Sequence, residues 1–387
     1  MGAAVNSAGT TETPADAGHP TVEAARVWML EHVELGRYPF NAIDASLARQ
    51  VIHALPGTDP VTWASAWLAP AAEQAARAEA AEAAGDVATA RDVWWQAYSC
   101  AFLGRYPSPN HPAKAEAYRL VLEYFGRAIA LEEAPSERIE ARFAGRAGEG
   151  NQVAFYARRP PDVERPPVVI VWGGIDGWKE ESYVLTRDLT TAGFATVHVD
   201  MPGVGEAPVL AGIDAERIWD PVFDWIDGSD LDASQVAVLG QSYGGYWATK
   251  LAHTHADRLA AAVNWGGGIH ITFQRAWQER SRNASSYLMD LMATRARLFG
   301  GTTFEDYVAR CPELSLLDQG ILNQASCPLL LVNGKDDLQN SPDDIVLALQ
   351  HGDPKTARFY PGGHMGTGPI MPDILKWLKR QLAANTA

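Results

Sequence analysis

One stretch constrains this chain more than any other: Val236-Ala237-Val238-Leu239-Gly240-Gln241-Ser242-Tyr243-Gly244-Gly245. Four consecutive apolar residues, bounded by polar Gln235 and by Gly240, suit a short strand covered on both faces. The residues that follow form Gly-x-Ser-x-Gly, a turn sharp enough to lift a serine oxygen above a sheet edge before a helix begins. Gly240 and Gly244 fit that geometry because the backbone passes itself closely there and a Cβ would collide. The pentapeptide alone is a weak sign, and a tight turn with an inert serine is the plain alternative. Its context decides: a buried strand precedes it, and Tyr246-Trp247-Ala248-Thr249-Lys250-Leu251 continues it as a helix.

The chain falls into three parts around this turn. Residues 1–20, rich in Ala, Gly, Ser, Thr and Pro, read as a loose tail. Over residues 21–134 nothing resembles a strand. Thr21 caps a first helix, which Arg37-Tyr38-Pro39-Phe40 breaks, and a second runs from Asp44 to the stop at Pro56-Gly57. Trp63 and Trp67 lie one turn apart on a third, alanine-rich helix that ends at Gly85. Asp86 caps a fourth, and a fifth carries the stripe Leu120, Val121, Tyr124, Phe125, Ala128 and Ile129. Such a series makes an all-helical domain. A tetratricopeptide pair is the rival reading, but the required period of about 34 residues is not sustained.

After Pro135 the pattern changes. Arg138-Ile139-Glu140-Ala141-Arg142-Phe143 and Val153-Ala154-Phe155-Tyr156-Ala157 alternate, as edge strands of a hairpin do. Val168-Val169-Ile170-Val171-Trp172, Ala195-Thr196-Val197-His198-Val199, the stretch before Ser242, Leu259-Ala260-Ala261-Ala262-Val263, Leu329-Leu330-Leu331-Val332 and Arg358-Phe359-Tyr360 then recur between helical segments. The fold class expected for residues 135–387 is therefore α/β, a doubly wound and mainly parallel sheet. A helical insertion at about 272–325 interrupts the rhythm and should lie over the mouth of the sheet.

A serine becomes a nucleophile only when a base takes its proton, and that base needs an orienting acid. In a sheet of this kind the chain order is serine, acid, histidine. His364, flanked by Gly362, Gly363 and Gly366 after the last strand, has the station of the base. The tandem Asp336-Asp337 follows the penultimate strand, and the spacing Gly-x-x-Asp with Pro342 beyond favours Asp337; Asp336 is the alternative. A tetrahedral oxyanion needs two backbone N–H donors. Tyr243, next after the serine, supplies one, and the glycine loop Trp172-Gly173-Gly174-Ile175-Asp176-Gly177 supplies the other from Gly174 or Ile175. Asp200-Met201-Pro202-Gly203-Val204-Gly205-Glu206 has the glycines of a phosphate loop but no Lys-Ser/Thr after them, so it reads as a structural turn beside the pocket. No His-Glu-x-x-His or Cys-x-x-Cys is present, so neither a metal nor a cofactor is expected.

Charge and composition narrow the partners. A net charge of -15 disfavours nucleic acid and anionic membrane surfaces. No run approaches the ~20 apolar residues of a membrane span, and Met1 to Pro20 lacks the basic and apolar regions of a signal peptide. The three cysteines, Cys100, Cys311 and Cys327, are scattered and odd in number, as in a reducing compartment. The reading is a cytoplasmic enzyme whose partner is a small molecule, with homodimerisation left open. Thirteen tryptophans suggest an aromatic pocket wall. Trp178, Trp265 and Tyr38 are candidates for it, and Tyr38 and Arg105-Tyr106-Pro107 stand at helix breaks from which the helical domain could reach a pocket between the domains.

These motifs together resemble the two-domain α/β-hydrolases that carry an N-terminal helical domain: the 2,6-dihydroxypseudooxynicotine hydrolase, fungal polyketide-shortening and FrsA-like group. The likeness covers nearly everything after the tail and rests chiefly on Gly173-Gly174 with Lys179-Glu180-Glu181, then on Asp200 to Glu206. The Trp63/Trp67 helix and the Gly85-Asp86 turn are similar as well. The resemblance implies hydrolysis of a carbon–carbon bond beside a ketone, in an aromatic or polyketide-like compound, at a pocket between the domains. Ester hydrolysis by the same residues, or a non-catalytic binding role, are the alternatives. It also implies an acidic catalytic residue on the Lys-Glu-Glu helix, Glu180 or Glu181, the latter otherwise a substrate contact. The bulky Tyr243 departs from the family's elbow and is expected to reshape the pocket.

Overall fold

In the computed structural model the structure describes residues 19, 21–134, 136–282 and 286–384. The tail expected over residues 1–20 lies outside the described residues, apart from His19. Five helices come first: α1 Val22–Glu34, α2 Ala45–Ala54, α3 Pro60–Ala83, α4 Val87–Arg105 and α5 Pro112–Ala130. Asp44, Asp59 and Asp86 each accept a backbone N–H at the start of α2, α3 and α4, which satisfies donors the helix cannot satisfy itself. Trp63, Trp67, Trp94 and Phe125 are buried between these helices.

The rest of the chain builds an eight-stranded sheet among the described residues: β1 Glu137–Arg142, β2 Gln152–Arg158, β3 Pro167–Trp172, β4 Ala195–Val199, β5 Asp232–Gln241, β6 Ala261–Trp265, β7 Leu329–Gly334 and β8 Thr356–Tyr360. Their spatial order is β1-β2-β4-β3-β5-β6-β7-β8. Pairing is parallel from β4 onward, and only β2 runs against its neighbours β1 and β4. One expectation needs correcting. Val153 to Ala157 belong to an inner strand, paired on both sides and buried at every position, and only β1 is an edge. The neighbouring β4 supplies a second ladder that local alternation does not announce.

Strand side chains alternate between two packed faces. Val169, Val171, Ala237 and Leu239 meet the last helix through Ile374 and Leu378. Val168, Ile170, Trp172 and Val238 join the core that runs on into the helical region. Between the strands lie α6 Lys179–Leu185, α7 Arg187–Thr191, α8 Asp220–Asp227, α9 Gly244–Thr254, α10 Arg275–Ser281, α11 Leu291–Arg297, α12 Phe304–Arg310, α13 Asp343–Leu349 and α14 Ile370–Ala384. The short helices α10 to α12 form the expected insertion. Its entry is held by the buried Asp344 of α13, whose carboxylate accepts the N–H groups of Ile269, His270, Ile271 and Thr272 at 2.7–3.1 Å.

The helical region is bound to the sheet by aromatic and ionic contacts. Phe125 of α5 meets Tyr156 of β2 at 4.8 Å and Tyr183 of α6 at 5.3 Å. At the end of α4, Arg105 donates to Glu181 Oε2 at 2.8 Å and to the carbonyl oxygen of Asp176 at 2.8 Å, with its guanidinium 3.9 Å over the Trp178 ring. Glu181 also accepts from Tyr98 Oη at 2.8 Å. Both members of the pair are almost wholly removed from water. A buried ion pair is costly to break because the surviving charge is left unpaired. Glu181→Ala should therefore destabilise the protein by about 3–5 kcal/mol, while Arg105→Met combined with Glu181→Leu should cost less than Glu181→Ala alone. Denaturant midpoints of the three proteins check the ranking.

Candidate active site

Ser242 sits between β5 and α9 with φ 52°. A non-glycine residue rarely holds this left-handed backbone, which costs roughly 1–3 kcal/mol unless the surroundings impose it. Here they do. A Cβ on Gly240 would lie 2.1 Å from the Gly244 carbonyl oxygen, and one on Gly244 2.2 Å from the Gly173 carbonyl oxygen. The Trp172 indole N–H donates to the same Gly244 carbonyl at 2.8 Å, pinning the turn from the neighbouring strand. Ser242 N–H is spent on the Trp265 carbonyl at 2.7 Å.

From this turn two hydrogen bonds run in line. Ser242 Oγ lies 2.7 Å from His364 Nε2, and His364 Nδ1 lies 2.8 Å from Asp337 Oδ2. Asp337 is buried and its carboxylate is fully engaged: it accepts from Gln339 N at 2.7 Å, Asn340 N at 3.2 Å and Asn333 Nδ2 at 2.9 Å. Burial works to raise its pKa, but the imidazole beside it and these donors outweigh burial and hold the carboxyl below its ordinary value. Asp336 points the other way, with its side chain 63% exposed beside Lys335. Asn333, at the end of β7, was invisible as a site residue. Its Oδ1 accepts from Met365 N at 3.0 Å, so one amide ties the acid to the histidine loop. Trp265 has the same service: its Nε1–H donates to the Met365 carbonyl at 2.9 Å, which makes it a support of the loop.

The glycine loop after β3 passes directly over the serine. A Cβ on Gly174 would lie 2.8 Å from Ser242 Cβ and 3.0 Å from its Oγ, so only glycine fits. Among the described residues the N–H groups of Tyr243, Gly174 and Ile175 have no protein acceptor, which leaves them free to serve an oxyanion. The Tyr243 side chain packs against the insertion. It is buried against Phe273 at 5.7 Å and lies 3.5 Å from Tyr307 Oη, so its bulk anchors the insertion.

The Lys-Glu-Glu helix is placed differently from what its chemistry suggested. Glu181 is absorbed by Arg105, Tyr98 and the Trp178 N–H. Glu180 is fully buried next to Lys179, whose Nζ lies 2.8 Å from Glu180 Oε1, 2.8 Å from Asp200 Oδ2 and 2.9 Å from Glu206 Oε2. Neither Glu180 oxygen has a well-aligned donor, since Lys179 approaches out of line. Burial pushes Glu180 up to about 7. The Asp200–Glu206 turn is the counterpart of this cluster: a Cβ on Gly205 would lie 2.1 Å from Asp200 Oδ2, the oxygen that accepts the Glu206 N–H at 2.8 Å. The two segments that carry the family resemblance thus lock onto each other. Trp178 is buried beneath Arg105 with its indole N–H on the Ile175 carbonyl at 3.1 Å, so it too shapes the loop.

Sequence reasoning did not mark Asp176. Its carboxyl is buried at the end of the same loop, flanked by the phenols of Tyr106 and Tyr287, with Tyr38 nearby. Tyr38 Oη lies 3.2 Å from where a Cβ on Gly177 would be, so the helical region reaches the loop that covers the serine. Burial raises the Asp176 pKa, against the pull of Tyr287, Arg105, Tyr106 and His364. No local signal marks such a residue, because its neighbours come from three distant segments. Among the described residues no group of three His, Cys, Asp or Glu side chains stands close enough to hold a metal ion, and no helix is long and apolar enough to cross a membrane.

A parallel sheet in this order, with a serine on the sharp turn between β5 and α9 and a loop carrying free N–H groups above it, defines a hydrolase of the α/β-hydrolase fold. The sequence matches the family described as Esterase FrsA-like over residues 63–358, and the chain belongs to that family. It is 28% identical over 297 residues to a 2,6-dihydropseudooxynicotine hydrolase of Paenarthrobacter nicotinovorans, covering 75% of each chain. To an Esterase FrsA of Photobacterium profundum it is 26% identical, over 86% of this chain and 80% of the other. A crystal structure of the 2,6-dihydroxy-pseudo-oxynicotine hydrolase superposes with a TM-score of 0.70 at 23% identity, over 93% of this chain and 96% of that one, a likeness of fold.

The two adjacent aspartates differ enough in setting to be separated by experiment. If the hydrogen-bonded chain from Ser242 through His364 to Asp337 carries catalysis, Asp337→Asn should lower kcat on an aryl ester by about 10⁴, the cost of removing the acid that orients such an imidazole. Asp336→Asn should change kcat less than about threefold, as surface substitutions do. Steady-state kinetics on the two purified variants gives the ranking.

Proposed function

We propose that this protein is a serine hydrolase in which Ser242 attacks a carbonyl carbon, His364 takes the hydroxyl proton and Asp337 holds and stabilises the imidazolium. The observation that carries the reading is the in-line pair of hydrogen bonds at 2.7 and 2.8 Å from Ser242 through His364 to Asp337. A hydroxyl within this distance of a properly held imidazole is poised for general-base activation. The tetrahedral oxyanion would be received by the N–H of Tyr243 and by that of Gly174 or Ile175, a type of donor pair whose members are each worth about 10²–10³ in rate. Exclusion of water by the helical region and the insertion would strengthen those bonds.

For substrate, the reading is a ketone in an aromatic or polyketide-like compound, cleaved at the carbon–carbon bond next to the carbonyl. Two observations support it: kinship with the pseudooxynicotine hydrolase, and the phenol-rich surface that the helical region turns toward the serine loop. Ester hydrolysis is the second reading, favoured by the Esterase FrsA-like family and by the Photobacterium relative. Both need the same nucleophile. They differ in the leaving group, since an alkoxide departs readily whereas a carbanion leaves only if its charge is delocalised.

Ser242→Ala should fold normally and lower turnover by about 10⁴–10⁶ on whichever substrate class is cleaved, His364→Ala should match it, and the double variant should be scarcely worse. Turnover of p-nitrophenyl esters, aryl ketones and β-diketones by wild type and variants is the measurement. More than a tenth of wild-type turnover left in Ser242→Ala would sink the assignment.

A further inference from the structure

The segment that holds Asp337 is gripped from the insertion. Gln339 and Asn340 give their N–H groups to Asp337 Oδ1 at 2.7 and 3.2 Å, so the place of this segment sets the place of the acid. The Gln339 carbonyl oxygen in turn accepts two side-chain donors, Trp277 Nε1 of α10 at 3.1 Å and Arg295 Nη2 of α11 at 3.0 Å. Two residues further on, Ser341 N–H donates to Thr272 Oγ1 at 2.8 Å.

Arg295 is the unusual member of this set. Its guanidinium is buried, and its acceptors are all uncharged: Gln278 Oε1 at 2.7 Å, Ser281 Oγ at 3.3 Å and the Gln339 carbonyl oxygen. Among the described residues no carboxylate pairs with it, and its Nε has no acceptor. Other buried cations of this protein are neutralised, Arg105 by Glu181 and Lys179 by Glu180, Asp200 and Glu206. Taking a cation out of water without an opposite charge is costly, and an apolar side chain would fill the space without that cost. An apolar side chain could not join α10 and the acid's segment through one planar fork of donors.

We propose that Arg295 is a positioning residue: through the Gln339 carbonyl it fixes the segment that holds Asp337, so that the insertion sets the geometry of the Asp337–His364 hydrogen bond. The inference rests on the reading of Ser242, His364 and Asp337 as a triad. The two carboxylate oxygens of Asp337 are used differently. Oδ1 is taken by the Gln339 and Asn340 N–H groups, whereas Oδ2 accepts from Asn333 and faces His364 Nδ1 at 2.8 Å. A tilt of the Gln339 peptide would withdraw donors from Oδ1, and the carboxylate would then turn Oδ2 out of line with the imidazole. Two donors from different helices on one carbonyl oxygen resist that tilt better than Trp277 alone. A misplacement of about 1 Å in such an arrangement costs about 10² in rate.

The test uses the full-length protein and whichever p-nitrophenyl ester or ketone the wild type cleaves. It reads kcat, KM and the downfield proton resonance of His364 Nδ1–H in its bond to Asp337. Arg295→Met should lower kcat by about 10–10², change KM less than about threefold, and shift or broaden that resonance. Arg295→Lys keeps a donor for the Gln339 carbonyl and should recover part of the lost kcat. Asp306, whose carboxylate accepts the Thr302 and Thr303 N–H groups at 2.9 Å before α12, lies in the same insertion. Asp306→Ala therefore controls for general loosening and should leave kcat and the resonance as in the wild type. Should Arg295→Met fail to fold, Trp277→Phe removes the other donor to the same carbonyl and carries the test with the same signs. Wild-type kcat in the variant, or a fall in kcat with the resonance untouched, would overturn the inference. So would a rise in KM alone, the mark of a substrate contact. The resonance needs no turnover, so it decides the point whatever the substrate. Full turnover in Asp337→Asn would bring down the triad itself, whereas an impaired Asp337→Asn beside an unaffected Arg295→Met would remove only the role of Arg295.

Discussion

Everything at this site depends on the backbone crossing at Ser242. A serine at φ 52° is strained by itself, and the strain is held because β5, α9 and the loop after β3 pack so closely that no other path is open. Three glycines make the approach, and the Trp172 indole closes it from the side. This arrangement delivers three things together. The hydroxyl stands clear of the sheet, the N–H of Tyr243 at the start of α9 stays unspent, and Gly174 is brought against the Ser242 hydroxyl. A relaxed turn would lose the alignment of all three.

The next requirement is that the loop after β3 keep its place, and here the two halves of the chain act on each other. From one side Lys179, Glu180, Asp200 and Glu206 fix the start of α6 to the turn after β4. From the other, Arg105 reaches across from α4 to the Asp176 carbonyl and to Glu181. Charges buried so thoroughly contribute little net stability, since desolvation offsets most of their attraction. Their value is positional, because a misplaced member leaves an unpaired charge. The loop that lies over Ser242 is thereby defined by contacts on both sides. The helical region is part of the site's foundation rather than a separate module.

How much of this was legible in the sequence follows from the range of the interactions. The fold was readable, because strand and helix periodicities are local and the strand-turn-helix around Ser242 admits few alternatives. Chain order singled out Ser242, Asp337 and His364, and they lie within hydrogen-bond distance of one another. Asn333 and Trp265 were not legible in their roles, since holding the Met365 backbone is a relation between loops far apart in sequence. The strand at Val153 to Ala157 was read as an edge because pairing with β4 leaves no trace in its own alternation. Glu180 and Glu181 looked like chemistry because carboxylates at a helix start usually face solvent or a ligand. The partners that bury them, Lys179, Asp200 and Arg105, come from the fold.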